Sequence, residues 1–117
     1  MSNKVEYCLI IKKKYLNLIL DGLKVWEIRT KPLFQEGDRI ALGYGGVVLG
    51  YATVSEIKKK TVPQMKRHNN KHLANDFIEQ RWKDKPYLYA LVLTKVETSS
   101  KRLTYPRSYG AVKVRLV

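Results

Sequence analysis

Apolar residues recur with two different periods along the first third of the chain, and the change of period marks its first elements. Glu6 to Lys12 is predicted to be a strand, because its centre is continuously apolar, as in a strand covered on both faces. Lys14 to Asp21 carries apolar residues at helical spacing and is predicted to be an amphipathic helix. Four of its residues are expected to share one face: Tyr15, Leu18, Ile19 and Leu20.

Gly22 is expected to end this helix, because glycine enters the left-handed conformation without a Cβ penalty. After Gly22 the period falls to two, which indicates a strand. Lys24, Trp26 and Ile28 then lie on one side of it, and Val25, Glu27 and Arg29 lie on the other. Glu27 and Arg29 are therefore expected to form an ion pair, and the amine of Lys24, an exposed residue at the turn, is expected to reach the same pocket.

The rest of the chain predicts short strands with helices between them. Proline and glycine mark the breaks, at Thr30–Pro32, Gln35–Asp38 and the hairpin Gly45–Gly46. Gly50 is expected at a bulge or a close packing point. The predicted elements are strands 39–44 and 47–57, a short helix with Pro63 and Met65, a helix over 71–83, a strand 87–96, a polar loop 97–102 and a closing strand 111–117.

Length and composition indicate one globular domain. The chain has 117 residues, 44% of them apolar, enough for one hydrophobic core. Cys8, its one cysteine, lies in an apolar run and is expected to be a buried structural thiol in a reducing compartment. Neither a signal peptide nor a membrane-spanning run is visible, so a cytoplasmic protein with no membrane partner is predicted.

The net charge of +13 predicts an anionic partner. The basic residues are concentrated in two segments, with nine cationic and three acidic side chains over residues 58–85 and six against one over residues 95–117. Lys12, Lys13 and Lys14 stand at the start of a helix, where cations oppose the helix dipole. Nucleic acid is the expected partner, and a solvated basic surface without a specific partner is the alternative.

Gly22-x-Lys24-x-x-Glu27-x-Arg29, after a helix and before Gly37-Asp38-Arg39-Ile40, resembles the ASCH domain family of the PUA-like superfamily. The resemblance extends through the strands at 47–54 and 89–94 to Pro106-x-x-x-Gly110. It implies an α+β, PUA-like fold: a curled β-sheet or small β-barrel of five to six strands with two to three helices. It also implies a cleft over the eight residues Gly22–Arg29, called the octet below, and this cleft is expected to bind RNA or modified nucleosides.

The same resemblance raises two enzymatic alternatives. Some ASCH relatives resemble amidohydrolases of acylated cytidine that use the motif lysine with a threonine at the position of Glu27; the glutamate here argues against carrying that activity over. Others are reported as ribonucleases on single-stranded RNA. For that reaction Lys24, as the candidate catalytic residue, is suited to deprotonate the 2′-OH or to stabilise the phosphate charge.

The predicted ligand-binding residues fall into three groups, which are expected to form one basic cleft. They are the octet residues Lys24, Glu27 and Arg29; the basic segment with Lys58, Lys59, Lys60 and Arg67; and the loop residues Tyr105, Arg107, Ser108 and Tyr109. Exposed aromatic rings among cations suit stacking on unpaired bases. This role is expected for Tyr44, Tyr105 and Tyr109, whereas Trp26 and Trp82 are expected in the core.

The sequence predicts no cofactor and no metal site. His68 and His72 are four residues apart, but a zinc site needs a third ligand, and Cys8 lies in an apolar run. The predicted function is therefore binding of single-stranded RNA or a modified nucleoside. Metal-independent RNA cleavage, nucleoside amide hydrolysis and a protein-interaction module without nucleic acid are the alternatives.

Overall fold

One mixed six-stranded sheet carries the fold in the computed structural model, which describes residues 4–107 and 110–116. Its strands are Tyr7–Ile10 (β1), Trp26–Arg29 (β2), Arg39–Tyr44 (β3), Val47–Thr61 (β4), Tyr87–Thr104 (β5) and Lys113–Arg115 (β6). The helices are Lys13–Leu20 (α1), Val62–Lys66 (α2), Asn69–His72 (α3) and Asn75–Phe77 (α4), followed by a π-helical turn, Ile78–Trp82. The predicted α+β class is confirmed, with four short helices where two or three were expected.

The sheet is curled but not closed. Its strand order is β2-β5-β4-β3-β1-β6, with β1 and β3 parallel and the other neighbours antiparallel. The pairing of β4 with β5 shifts register three times, and such irregularities bend and twist a strand. As a result, Arg29 on the edge strand β2 donates from Nη2 to the carbonyl oxygen of Ile10 at the end of β1, at 2.9 Å.

Helix α1 packs its buried face into the curled sheet. Leu16 and Ile19 are fully buried there, against core residues of β1, β3, β4 and β5. The sequence expectation for this face was incomplete, because Leu16 was missed. Leu18 and Leu20 are half-buried, and Leu20 packs against the same core. Tyr15 is half-buried as well.

Gly22 ends α1 as predicted, in a left-handed conformation with φ of +79°. The N–H groups of Gly22 and Leu23 donate to the carbonyl oxygens of Ile19 and Leu18, the pair of bonds that defines a Schellman motif. The next N–H group, that of Lys24, also donates to Leu18. This turn fixes where the chain enters β2 and therefore where the octet side chains lie.

The single helix predicted over residues 71–83 is wrong. Leu73 has a positive φ of +54°, which interrupts the helix between α3 and α4. His72 supports the interruption, since its Nδ1 atom accepts a hydrogen bond from the N–H group of Ala74. Helical structure resumes at Asn75 and continues through Trp82.

The polar loop predicted over residues 97–102 is also wrong, because β5 continues to Thr104. This polar half of β5 pairs with the first half of β4, with Glu97 opposite Tyr51 and Leu103 opposite Val48. Long-range backbone pairing therefore determines the structure of a segment whose own residues are those of a loop. In the same way, β4 extends beyond the predicted Ile57 to Thr61.

The glycines predicted at the hairpin between β3 and β4 and at a close packing point in β4 have these roles in the structure. Gly45 and Gly46 both have positive φ in the hairpin between these strands. A Cβ atom on Gly50 would lie 2.6 Å from both Leu20 Cδ2 and the Glu97 carbonyl oxygen, so the strand passes close to its neighbours there. In the described part of the chain, no helix has the length and apolar content needed to cross a bilayer.

Candidate nucleotide-binding cleft

A cleft of about 250 Å³ opens over the octet. The end of β1 and the start of α1 form one side, β2 forms the floor, and α4 with the π-helical turn forms the other side. Six of its lining side chains carry the chemistry described below: Tyr15, Lys24, Glu27, Arg29, Phe77 and Trp82. The cleft exists because the curl of the sheet brings β2 close to β1.

Glu27 and Arg29 form the ion pair predicted from their spacing on one strand face. Arg29 donates to Glu27 Oε2 from Nε at 3.0 Å and from Nη2 at 2.6 Å. The other carboxylate oxygen, Oε1, lies 3.4 Å from Lys24 Nζ. Glu27 therefore stands between two cations, and its side chain is only 8% exposed.

Lys24 is buried, with 1% of its surface exposed, so the expectation of an exposed lysine at the turn was wrong. Its amine donates to the carbonyl oxygen of His72 and lies 5.2 Å from the centre of the Tyr15 ring. Burial lowers the pKa of Lys24, and the positive charge of Arg29 adds to this, while Glu27 acts in the opposite direction. The octet thus presents a lysine whose neutral form is favoured relative to a lysine in water.

His72 is fully buried beside this cluster as a neutral imidazole. Its Nε2 lies 2.7 Å from the carbonyl oxygen of Met65, which can only accept, so the ring proton is on Nε2 and Nδ1 is the acceptor for Ala74. Burial lowers the pKa of His72 below its ordinary value. Both ring nitrogens are therefore engaged within the protein.

His68, the other histidine, packs against Trp26 with the ring centres 5.0 Å apart and the rings tilted by 41°. Over residues 4–107 and 110–116, no three His, Cys, Asp or Glu side chains form a group able to hold a metal ion.

Three aromatic rings form the wall of the cleft above the charged floor. Phe77 makes edge-to-face contacts with Tyr15, at 6.2 Å between ring centres, and with Trp82, at 4.8 Å. The expectation that Trp82 lies in the core was wrong, since it is half-buried and lines the cleft. Trp26 is in the core as predicted. Phe77 and Trp82 are five residues apart, a spacing that puts two side chains on different faces of an α-helix, so it was no signal that they would line one cleft.

The predicted basic segment lies outside the lining of the cleft. Lys58 pairs with Glu56 at 2.9 Å and has its amine 5.9 Å from the Trp26 ring centre. The amine of Lys59 lies 4.4 Å from the centre of the Tyr87 ring. Lys60 is near the end of β4, and Arg67 is exposed at the end of α2. The structure therefore does not place these four cations in the lining of the cleft.

The predicted loop after β5 is also placed elsewhere. Tyr105 is only 6% exposed and packs with Cys8 and Val48, so its expected exposure was wrong. It fills the space that the missing side chain of Gly43 leaves, because a Cβ atom there would lie 2.7 Å from the tyrosine ring. Arg107 contacts the hairpin at Gly46. Ser108 and Tyr109 lie outside the described residues.

The octet, the curled mixed sheet and the cleft between β2 and β1 agree with one family. The model of the ASCH domain matches residues 9–110. This chain belongs to the ASCH domain family. The resemblance carried by the octet is thereby confirmed, and with it the PUA-like fold.

Solved structures with this ASCH fold come from Zymomonas mobilis. A serine-to-alanine variant of its ASCH protein has a TM-score of 0.82 at 15% identity and covers 100% of this chain and 92% of its own. A tyrosine-to-phenylalanine variant has a TM-score of 0.74 at 17% identity, over 86% of this chain and 76% of its own. The unmodified protein has a TM-score of 0.71 at 18% identity, over 83% and 71%. No curated protein matches the sequence.

Proposed function

We propose that this ASCH domain binds single-stranded RNA and takes the base of one unpaired nucleotide into the cleft. The observation that supports this most is the combination of an aromatic wall with a buried lysine and glutamate on the floor. The cleft volume of about 250 Å³ is below the range of about 300–1,000 Å³ typical of sites for drug-sized ligands. Such a space suits one flat ring system rather than a base pair.

The floor and the wall offer different interactions to a base. The rings of Tyr15, Phe77 and Trp82 supply stacking or edge contacts, and stacking on a protein ring is worth about 1–3 kcal/mol per base. Lys24 has three N–H donors, of which His72 and Glu27 engage two, so one remains for a carbonyl oxygen of the ligand. Burial of Tyr15, and next the charges of Glu27 and Asp76, raise its pKa and keep the hydroxyl protonated as a donor.

The charge of the whole chain supports a polyanionic ligand. The net charge of +13 favours approach of the RNA backbone, and Lys58, Lys59, Lys60, Arg67 and Arg107 contribute to it from outside the cleft. Ser108 and Tyr109 remain predicted contacts of the same backbone. Because Tyr105 is buried, we no longer assign it a stacking role. We place this activity in the cytoplasm, since Cys8 is buried and is the chain's one cysteine.

The proposal is tested by deleting one ring of the wall. We expect Phe77→Ala to weaken binding of a labelled single-stranded oligoribonucleotide by roughly tenfold or more, as loss of one stacking partner does. Tyr87→Ala is the matched control, since Tyr87 is an exposed aromatic residue outside the lining of the cleft. Equal binding by both variants and the native chain, or equal binding of a duplex of the same sequence, would contradict the proposal.

Metal-independent RNA cleavage is the second candidate, and the lowered pKa of Lys24 within the cleft favours it. A lysine with a larger neutral fraction near neutral pH is a better general base for the 2′-OH of RNA. Cleavage by this route leaves cyclic phosphate ends, persists with a chelator present, and stops with a 2′-deoxy substrate. Amide hydrolysis is disfavoured because Glu27, at the position of the nucleophile, is held by Arg29. We therefore expect no acetate release from N4-acetylcytidine.

A further inference from the structure

Two cations stand over the aromatic wall at the rim of the cleft. Lys12 Nζ lies 4.9 Å from the centre of the Phe77 ring, and Arg81 Cζ lies 5.8 Å from the same centre. Both distances are within the range of cation–π contact. Both charges therefore lie against the same ring of the cleft wall, at the ends of long, exposed side chains. Lys12 also lines the cleft.

Among the described residues, these two side chains lack the anionic partner that some other cations of the protein have. Arg39 pairs with Glu97, and Lys66 pairs with Glu79. Within residues 4–107 and 110–116, neither Lys12 nor Arg81 forms an ion pair or a side-chain hydrogen bond. Both residues are exposed.

The position of Lys12 is also unfavourable for the isolated fold. It is the N-cap residue of α1, makes no side-chain cap, and places positive charge where the helix dipole favours negative charge. Asp76 is the nearest acidic neighbour of Phe77 in sequence and is exposed, yet it pairs with neither cation in the described structure. An anion bound at this rim would offset the positive charge of Lys12 and Arg81.

We propose that Lys12 and Arg81 bind the phosphate of the nucleotide whose base lies in the cleft. The ligand is then a phosphorylated nucleotide, within RNA or free, and not an unphosphorylated nucleoside. This inference rests on the proposed function, because it takes the cleft to be the base site. It specifies the ligand class that the octet alone leaves open.

The test compares each of the four ribonucleosides with its 5′- and 3′-monophosphates by calorimetric titration. For the native chain we expect at least one monophosphate to bind about tenfold more tightly than its nucleoside, as two surface cations acting on one phosphate can provide. For the Lys12→Ala, Arg81→Ala double variant we expect this advantage to fall to about twofold or less.

The matched control is the Lys13→Ala, Lys83→Ala double variant, which removes the same charge from exposed neighbouring positions. It should retain the preference for the monophosphate. Equal affinity of nucleoside and monophosphate for the native chain would overturn the inference and leave the base site standing. A preference lost equally in both double variants would also overturn it, since net charge would then be the cause. No binding of any nucleoside, nucleotide or oligoribonucleotide would overturn the proposed function as well.

Discussion

Lys24 determines the chemistry of the cleft floor. Because the side chain is buried, its aliphatic stem contributes to stability as well as its charge. Truncation to alanine removes the packed stem and leaves a cavity beside Tyr15, so we expect Lys24→Ala to lower the free energy of unfolding by about 2–5 kcal/mol. Lys24→Met retains most of the stem, and Glu27 keeps Arg29 as partner, so we expect a smaller loss. Urea unfolding measures both. Equal stability of Lys24→Ala and the native chain would contradict the burial of this side chain.

His72 gives the protein a dependence of stability on pH. Its pKa in the folded state is below the ordinary value of 6.5, so below pH 6.5 the unfolded chain binds more protons than the folded chain. The contribution is complete above pH 6.5 and is lost as the pH falls toward the folded-state pKa, with a slope of at most about 1.36 kcal/mol per pH unit.

Unfolding titrations between about pH 7.5 and 5.5 measure this slope. Carboxylates contribute in all variants, so the informative quantity is the difference between chains. We expect His72→Asn to have a flatter profile than the native chain. Equal slopes in the two chains would contradict the assignment of the effect to His72.

At the scale of single residues, the sequence predicts contacts between residues that are close together in the chain. The Glu27–Arg29 pair follows from a spacing of two on one strand, and the structure confirms it. The burial of Lys24 was not predictable, because the carbonyl oxygen that accepts its hydrogen bond belongs to His72, 48 residues later. Tyr105 was misplaced for a similar reason, since the space it fills is created by Gly43 on another strand.

Gly22 is the element-scale determinant of the site, because its left-handed turn connects α1 to the octet strand. An added Cβ atom meets no atom within 4 Å, so the cost of Gly22→Ala comes from its φ of +79° alone. We expect a loss of about 1–2 kcal/mol in the free energy of unfolding. Leu23→Ala, at the next position and 61% exposed, should change it by less than about 0.5 kcal/mol.

An equal loss in Gly22→Ala and Leu23→Ala would mean that side-chain contact, rather than backbone conformation, determines this turn.

Elements with their own end signals, such as α1 and the Gly45–Gly46 hairpin, were predictable from sequence. The split after α3 was not, because a leucine with positive φ has no sequence signal of its own. Likewise, the second half of β5 is a strand because β4 supplies its partner.

For the whole molecule, the charge predicts how binding responds to salt. RNA that contacts several cations at once releases counterions, so the logarithm of the binding constant should fall against the logarithm of the salt concentration. Three to five phosphate contacts give a slope of roughly −2 to −3.5 for a single strand. Fluorescence anisotropy of a labelled oligoribonucleotide at several salt concentrations measures it. A slope near zero with every RNA tested would contradict a nucleic-acid role for the net charge of +13.

The most direct test of the account asks whether the bound base enters the cleft. The chain has two tryptophans, of which Trp82 lines the cleft and Trp26 lies in the core, so Trp26→Phe leaves Trp82 as the single reporter. We predict that single-stranded RNA quenches Trp82 fluorescence with the same midpoint as the anisotropy of the labelled RNA, because a base then contacts the wall. Binding detected by anisotropy with no change in Trp82 fluorescence would show that RNA binds elsewhere and would contradict the central claim.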